Sequence, residues 1–365
     1  MTLVLEDKDV AALLPMRECI EAMETAYRDF AVGGAINIPR IRYRSKTSDP
    51  DVVYGSNIHI GTTPSYDAAA IRIGGSASNA GPRAQGAHAP KHADRNWGFV
   101  CLIDMRTGEL QAIIQEFVLS GIRVGATSGL AAKYLARPEA ASVGMLGSGK
   151  LARTNLEALA LVRRLHKVTV FSPTREHREA FAREMQAKLE LEVTAVDDPQ
   201  QVVRGADIVC CATNAGYVSG EPVFDGRWLE PGQLVISLQN SDANFTKSEV
   251  DETTMVRSRF IVINDRESVE SNNQQELLGP IERGLISWDK IRLLGDVVAG
   301  TPHPDAGSSD IVYYKNNTGM GIQMAAAGAR IYRNAVAQGV GHEIPTEWFG
   351  SDLSEWYDRG FFPSA

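Results

Sequence analysis

A short apolar strand pattern, Ser142-Val-Gly-Met-Leu146, runs straight into Gly147-Ser148-Gly149-Lys150-Leu151-Ala152-Arg153 and then into a helical repeat. No other stretch restricts the fold as much. In a G-x-G-x-x-A turn the glycines let the chain reverse tightly and let a pyrophosphate approach backbone N–H groups at a helix N-terminus. A small third residue lets the helix pack closely on the strand. Many strand–helix turns carry glycine only for a positive φ and bind nothing. Here, however, a second strand pattern, Lys167-Val-Thr-Val-Phe-Ser172, returns at the spacing of a βαβ unit. The segment predicts a dinucleotide site with Gly147, Ser148, Gly149, Lys150, Leu151 and Ala152 as its phosphate turn; the alternative is a bare structural turn.

Beyond the turn, strand and helix patterns alternate, with strands near 142–146, 167–172, 192–196, 207–212, 233–238, 259–264, 291–294 and 310–314. Alternation of this kind implies an α/β fold with a mostly parallel, doubly wound sheet of Rossmann type, covered on both faces. The region ahead of it reads as mixed α and β. Met16, Ile20, Met23, Tyr27 and Phe30 form one face of an amphipathic helix, expected to pack on a sheet or on a partner subunit. Strand patterns follow at 36–43, 68–73 and 98–105, and 74–96, rich in Gly, Ala, Ser and Pro, reads as an active-site loop or lid, or merely a connection. The small apolar residues of 120–136 suit a buried helix bridging two domains, the number expected of a 365-residue chain. After Tyr314 a glycine-containing loop leads to a helix through about Val336, expected to return to the first domain.

Composition excludes more than it selects. The chain is 44% apolar and 22% charged, as in ordinary globular proteins, and its formal net charge of -8 argues against nucleic-acid or anionic-membrane partners. The first residues lack a basic stretch followed by an apolar core, and no apolar run approaches membrane-spanning length, so a cytoplasmic location is expected. Cys19, Cys101, Cys210 and Cys211 fit no metal-ligand spacing; the adjacent pair, in a strand pattern, should point to opposite faces. Pro90 interrupts any helix that would align His88 with His92, and His59, His166, His177, His303 and His342 suggest no catalytic triad. Neither metal-dependent nor hydrolytic chemistry is expected, and no metal site is assigned.

At the end of the second strand, Phe171-Ser-Pro-Thr-Arg175 has no Asp or Glu to bond the ribose hydroxyls of NAD. Ser172, Thr174 and Arg175 instead offer hydroxyls and a positive charge suited to a 2′-phosphate, which favours NADP(H) over NAD(H). The competing reading is a helix N-cap with Arg175 solvated. Thr213 and Asn214 end another strand at the carboxyl edge, where doubly wound sheets place ligands. They flank the nicotinamide or pyrophosphate, or simply cap a loop.

Ile38-Pro39-Arg40, the run from Leu119-Ser-Gly-Ile-Arg123 to Ala136, Gly147–Arg153 and Asn316-Asn-Thr-Gly-Met-Gly321 resemble the ornithine cyclodeaminase/μ-crystallin family. The resemblance extends from about residue 5 to about residue 345, and the Arg123 helix followed by the glycine turn is its most specific part. It implies a Rossmann dinucleotide-binding domain, 128–315, inserted into a discontinuous α/β substrate-binding and dimerisation domain, 1–127 and 316–365. By the same resemblance Arg40 and Arg123 grip a substrate α-carboxylate, Arg72 takes the place of the usual active-site lysine, and Thr318 and Gly319 contact the cofactor. Guanidinium forks bind carboxylates bidentately and stay charged, but an arginine is a poor proton shuttle. Asp242 matches the carboxylate that binds the substrate amine in cyclodeaminases; Ser241, Asn240 or an N-cap role are the alternatives. Val124 and Arg95 depart from the family's usual residues. Arg42, Arg44, Arg83 and Arg95 either hold a second acidic group on the substrate or are solvated.

The resemblance implies hydride transfer between nicotinamide and the α-carbon of an amino or imino acid, with Arg40, Arg72 and Arg123 binding substrate and Asp242 and Arg72 as catalytic candidates. Two alternatives stand beside it: an ornithine or lysine cyclodeaminase releasing ammonia, and a non-catalytic NADPH-binding protein like μ-crystallin. The expected partner is a small amino or imino acid, with no nucleic acid and no membrane, in a homodimer.

Overall fold

The computed structural model describes residues 1–79, 97–240, 248–300, 309–316 and 319–353. In chain order its strands are β1 (Thr2–Leu5), β2 (Asn37–Lys46), β3 (Val52–Thr63), β4 (Ala68–Asn79), β5 (Trp97–Asp104), β6 (Leu110–Gln115), β7 (Ser142–Leu146), β8 (Lys167–Phe171), β9 (Glu192–Ala195), β10 (Ile208–Cys211), β11 (Leu234–Ser237), β12 (Phe260–Ile263), β13 (Ile291–Leu293), β14 (Val312–Lys315) and β15 (His342–Ile344). They form two sheets.

The second sheet has the order β13-β12-β14-β11-β10-β7-β8-β9, and every pairing in it is parallel. Each of the strand patterns anticipated between 142 and 314 is present within two residues of its place. The chain winds outward from β7 in both directions, so the order reverses between β7 and β10, the point at which such sheets open a crevice. Burial on both faces explains the apolar runs: Met145, Ile208 and Cys210 enter one core while Leu146, Val209 and Cys211 enter the other. The two adjacent cysteines do point to opposite faces.

The first sheet has the order β15-β1-β6-β5-β4-β3-β2. It is antiparallel apart from the parallel pairing of β1 with β6. β3, β1, β6 and β15 are additions to the sequence reading, and β4 runs on to Asn79, so the start of the glycine-rich segment is strand rather than loop. Residues 80–96, with Arg83, His88, His92 and Arg95, lie outside the described residues. One face of this sheet buries Ala68, Ala70, Val100, Leu102, Ala112 and Ile114, and the helix Gly321–Gln338 packs on it, returning the chain to the first sheet as anticipated.

The helix Met16–Ala31 buries Cys19, Ile20, Met23 and Tyr27 chiefly against helices of its own chain, with a smaller contact to β3 of the first sheet. Its neighbours are Phe117–Leu135, Gly321–Gln338 and Leu294–Ala299. Ala22 and Ala26 widen the buried stripe enough to seat it between them. Phe117–Leu135 joins the two halves and is continuous through residue 127. At Gly125 an added Cβ would overlap the Thr154 carbonyl, and at Gly129 it would lie 2.9 Å from Cβ of Ala158, so this helix rests directly on the one that follows the glycine turn. Among the described residues no helix is long and apolar enough to cross a membrane.

Candidate active site

β7 delivers the chain to Gly147, whose φ of +106° is open to glycine and strained for other residues, and where a Cβ would also overlap the Ala212 carbonyl at the end of β10. Gly149 then caps the helix Lys150–Val162 with no side-chain hydrogen bond, and a Cβ built on it meets nothing within 4 Å. Space is therefore open beside Gly149 at the start of that helix, next to the sheet's reversal point, and a helix N-terminus with its unsatisfied N–H groups favours an anion there. Ser148 Oγ donates to Ser172 Oγ at 2.9 Å, tying the turn to the end of β8. Ala152 is fully buried and Leu151 packs on the core, so both shape the turn from behind. Lys150 points away: Nζ donates to the Phe117 carbonyl at 2.9 Å and lies 3.3 Å from the centroid of that residue's ring. Burial lowers its pKa.

Around the rim, Thr174 occupies the N-cap position of Arg175–Leu189 without a side-chain cap bond. Arg175 is exposed and pairs with Glu179, one turn on, at 2.7 Å. Asn214 begins the short helix Ala215–Val218, also without a cap bond. Thr213 is engaged by a residue the sequence reading passed over. Glu249 Oε2 accepts from the Thr213 N–H (3.0 Å) and Oγ1 (2.8 Å), while Oε1 accepts from the N–H groups of Leu238 and Gln239, both at 2.7 Å. One buried carboxylate thus binds together the carboxyl ends of β10 and β11. Burial raises its pKa, opposed by Lys315 and by these donors. Lys315, fully buried at the end of β14, donates to the Gln239 carbonyl and lies 3.7 Å from Glu276.

Facing this edge is a cluster of arginines on the first sheet. Arg72 on β4 stands directly opposite His59 on β3. Its Nη2 donates to Glu116 Oε1 at 2.7 Å and its Nη1 lies 3.3 Å from His59 Nδ1. Gly74 and Gly98 leave the room: Cβ atoms there would lie 2.7 Å from Arg72 Nη2 and 2.6 Å from Glu116 Cγ. Glu116 Oε2 accepts from the Ser120 hydroxyl. Arg123 projects from the joining helix, and its Nη1 donates to Gln323 Oε1 at 2.8 Å; Gln323 Nε2 is held by Tyr27 Oη (2.9 Å) and Thr127 Oγ1 (3.0 Å). Burial, then the nearby Arg72, lowers the Arg123 guanidinium to about 10, which leaves it charged at neutral pH. The Gly319 backbone presses on this guanidinium, 2.5 Å from where a Cβ would sit.

Arg40 sits at the bulge between Ile38 and Ile41 and reaches Asn272 Oδ1 from Nε at 3.3 Å, crossing to the parallel half. Burial and the charges of Arg72, Arg123, Arg40 and Arg42 hold His59 well below its ordinary pKa; of these, Arg72 is in direct contact with the ring. The Nε atoms of Arg72 and Arg123 are buried with no hydrogen-bond partner among the described residues. The structure thus gathers Arg40, Arg72 and Arg123. It adds His59, Glu116 and Gln323, which the sequence reading did not single out for the site because their partners follow from strand register and helix contact. Asp242 and Thr318 lie outside the described residues. Among the described residues no group of three or more His, Cys, Asp or Glu could hold a metal ion.

A doubly wound parallel sheet with a glycine turn beside its reversal point, faced by a buried cationic cluster, defines a Rossmann-type dinucleotide-binding protein. The chain belongs to the ornithine cyclodeaminase/mu-crystallin family, whose model matches residues 1–339. Delta(1)-pyrroline-2-carboxylate reductase of Bacillus cereus is 31% identical over 250 residues, 68% of this chain and 74% of the relative. Iminosuccinate reductase of Paracoccus denitrificans is 28% identical over 344 residues, 94% of this chain and 99% of the relative. Among solved structures, Delta(1)-pyrroline-2-carboxylate reductase of Thermococcus litoralis in complex with NADH and L-proline matches with a TM-score of 0.80 at 26% identity, covering 94% of this chain and 100% of that one.

Proposed function

We propose that this chain is an NAD(P)-dependent oxidoreductase that reduces the C=N bond of an α-imino acid, or oxidises the corresponding amino acid in reverse. The observation that carries this reading is the set of arginines around His59, with Arg72 in contact with its ring and the charges of Arg123 and Arg40 acting on it, the Nε atoms of Arg72 and Arg123 buried without a partner among the described residues, in a chain whose glycine turn leaves open space at Gly149. The residues fit a dinucleotide: Gly149 leaves space for a pyrophosphate, and the ends of β10 and β11 are braced where a nicotinamide belongs.

Bound NAD(P)H supplies a hydride from its nicotinamide ring. The arginines hold the α-carboxylate so that the imine carbon faces that ring, and such positioning supplies much of the acceleration. The carbon gains the hydride and the nitrogen gains a proton, from Asp242 or from water. Arg72, locked between Glu116 and His59, binds and orients rather than shuttling protons. Residues Gly147 to Ala152, with Thr213, Asn214, Thr318 and Gly319, form the cofactor side. Ser172, Thr174 and Arg175, with no carboxylate at the strand end, support NADP(H) over NAD(H), although the T. litoralis relative was solved with NADH.

Residues 1–127 and 316–365 serve substrate binding and dimerisation, 128–315 the cofactor, in a cytoplasmic homodimer. The test is NADPH and NADH oxidation, followed by nicotinamide absorbance, with cyclic imines and with 2-oxo acids plus ammonium. Conversion of L-ornithine to proline and ammonia without net NAD(P)H turnover would select cyclodeamination instead. Nucleotide binding with no turnover over the whole panel would reduce the chain to a binding protein.

A further inference from the structure

Strand register places several cationic or donor side chains on the floor of the substrate site. Arg42 pairs with Asn57, Arg44 with Gly55 and His59 with Arg72, so these residues share the sheet face that the helix Gly321–Gln338 covers farther along. Arginine has no acceptor, so the Arg72 contact requires the lone pair of His59 to lie on Nδ1 and the ring proton on Nε2. The ring is neutral and buried, and in this tautomer its remaining nitrogen can only donate. The nearby acceptors are engaged: Glu116 Oε1 by Arg72, Glu116 Oε2 by Ser120, and Asn57 Oδ1 by Arg42 at 2.7 Å. Among the described residues, this floor offers donors and positive charge to whatever lies on it.

We infer that the substrate carries a second carboxylate on its side chain, and that His59 selects for it by donating its Nε2–H with Arg42 beside it. The enzyme then takes imino dicarboxylates and rejects side chains ending in an ammonium. The inference rests on the reductase reading and names its substrate class. Among the described residues, an ammonium set beside Arg72 and Arg123 would meet like charges, with the Glu116 carboxylate already paired to Arg72, whereas a carboxylate meets cations and an oriented N–H. This argues against ornithine and lysine on the grounds of the described floor alone.

The test uses four-carbon ligands matched in length. Reductive rates are compared for oxaloacetate and 2-oxobutyrate, each with ammonium. Binding of L-aspartate, L-2-aminobutyrate and L-2,4-diaminobutyrate is measured by calorimetry on the full chain with NADP+ present. Wild type should favour oxaloacetate over 2-oxobutyrate by at least about tenfold in kcat/KM, the scale of a charge-assisted hydrogen bond lost at a buried site. It should bind L-aspartate more tightly than either other amino acid. His59→Phe, which keeps a ring but removes the donor, should bring the oxaloacetate preference down to about twofold. The exposed Arg42→Leu, which does not depend on core packing, should lower it in the same direction. Equal or better rates with 2-oxobutyrate, or tighter binding of L-2,4-diaminobutyrate than of L-aspartate, would overturn the inference and leave the reductase reading intact. Absence of any NAD(P)H oxidation would sink the reductase reading, while the binding series would still decide the selectivity.

Discussion

Removal of the Glu249 carboxylate tests whether the ligand-facing edge of the parallel sheet is held by a charge or merely filled by a side chain. The side chain is wholly buried and each of its oxygens accepts two hydrogen bonds, from Thr213 on one side and from Leu238 and Gln239 on the other. Glu249→Ala leaves three backbone N–H groups and one hydroxyl to be satisfied by water in the vacated space. At about 1–3 kcal/mol for each buried donor left without a partner, and allowing for partial rescue by water, the loss should be on the order of 4 kcal/mol. Glu249→Gln is the sharper perturbation because it keeps the shape. Turned toward Leu238 and Gln239, its NH2 would face two backbone donors; turned toward Thr213, whose hydroxyl can accept, it still leaves the Thr213 N–H opposed by a donor, so at least one bond vanishes in the better orientation, for a loss of about 2 kcal/mol. Urea unfolding monitored by tryptophan fluorescence reads the stability, and NADPH titration under conditions where the variants remain folded reads the edge itself, with affinity falling at least about tenfold. A Glu249→Gln protein within about 1 kcal/mol of wild type would refute the reasoning, because it would mean that the carboxylate is not needed as an acceptor on both oxygens.

Three further outcomes are expected. Gly149→Ala should leave stability within about 1 kcal/mol yet weaken NADPH binding at least about tenfold, because its methyl enters open ligand space, whereas Gly147→Ala should destabilise the fold as well through its positive φ; equal effects in melting and titration experiments would contradict this. Arg72→Ala should cost about 3 kcal/mol by leaving buried Glu116 without its cation, and Arg72→Ala with Glu116→Gln should recover most of that loss in a double-mutant cycle. Burial opposes ionisation of Glu24, but hydrogen bonds from Lys133, Tyr134 and Arg28 win and hold it at about 2. Because the folded value is depressed, this stabilisation is present above the unfolded carboxylate range and is lost as pH falls toward 2; Glu24→Gln should flatten the acid limb of a stability–pH curve, and an unchanged limb would exclude the effect.

The parallel sheet was legible because strands buried on both faces, such as Ile208–Cys211 and Phe260–Ile263, have no choice but continuous apolar sequence between turns. The first sheet was not. In β3 the face that lines the site carries Gly55, Asn57 and His59, which breaks the apolar alternation that would announce a strand, and β1 and β15 are too short to show a period. The same register hid the site. Arg40, Arg72 and Arg123 could be picked out by resemblance, but the partnership of Arg72 with His59 exists only once β3 is paired with β4, and Glu116 enters only because Gly98 makes room for it. Glu249 was invisible for a related reason: its four donors come from two strand ends that sequence places far apart.

The direct seating of the joining helix on its successor, at Gly125 and Gly129, makes a rigid seam between Arg123 and the helix that begins at the glycine turn. On the proposed reading, in which Arg123 holds the acceptor and the glycine turn the donor, both would be mounted on one beam and their separation would be set by the fold rather than by each ligand. A descendant acquiring a new acid would then leave that beam untouched and vary β2 and β3, whose Arg42 and His59 carry the proposed selectivity.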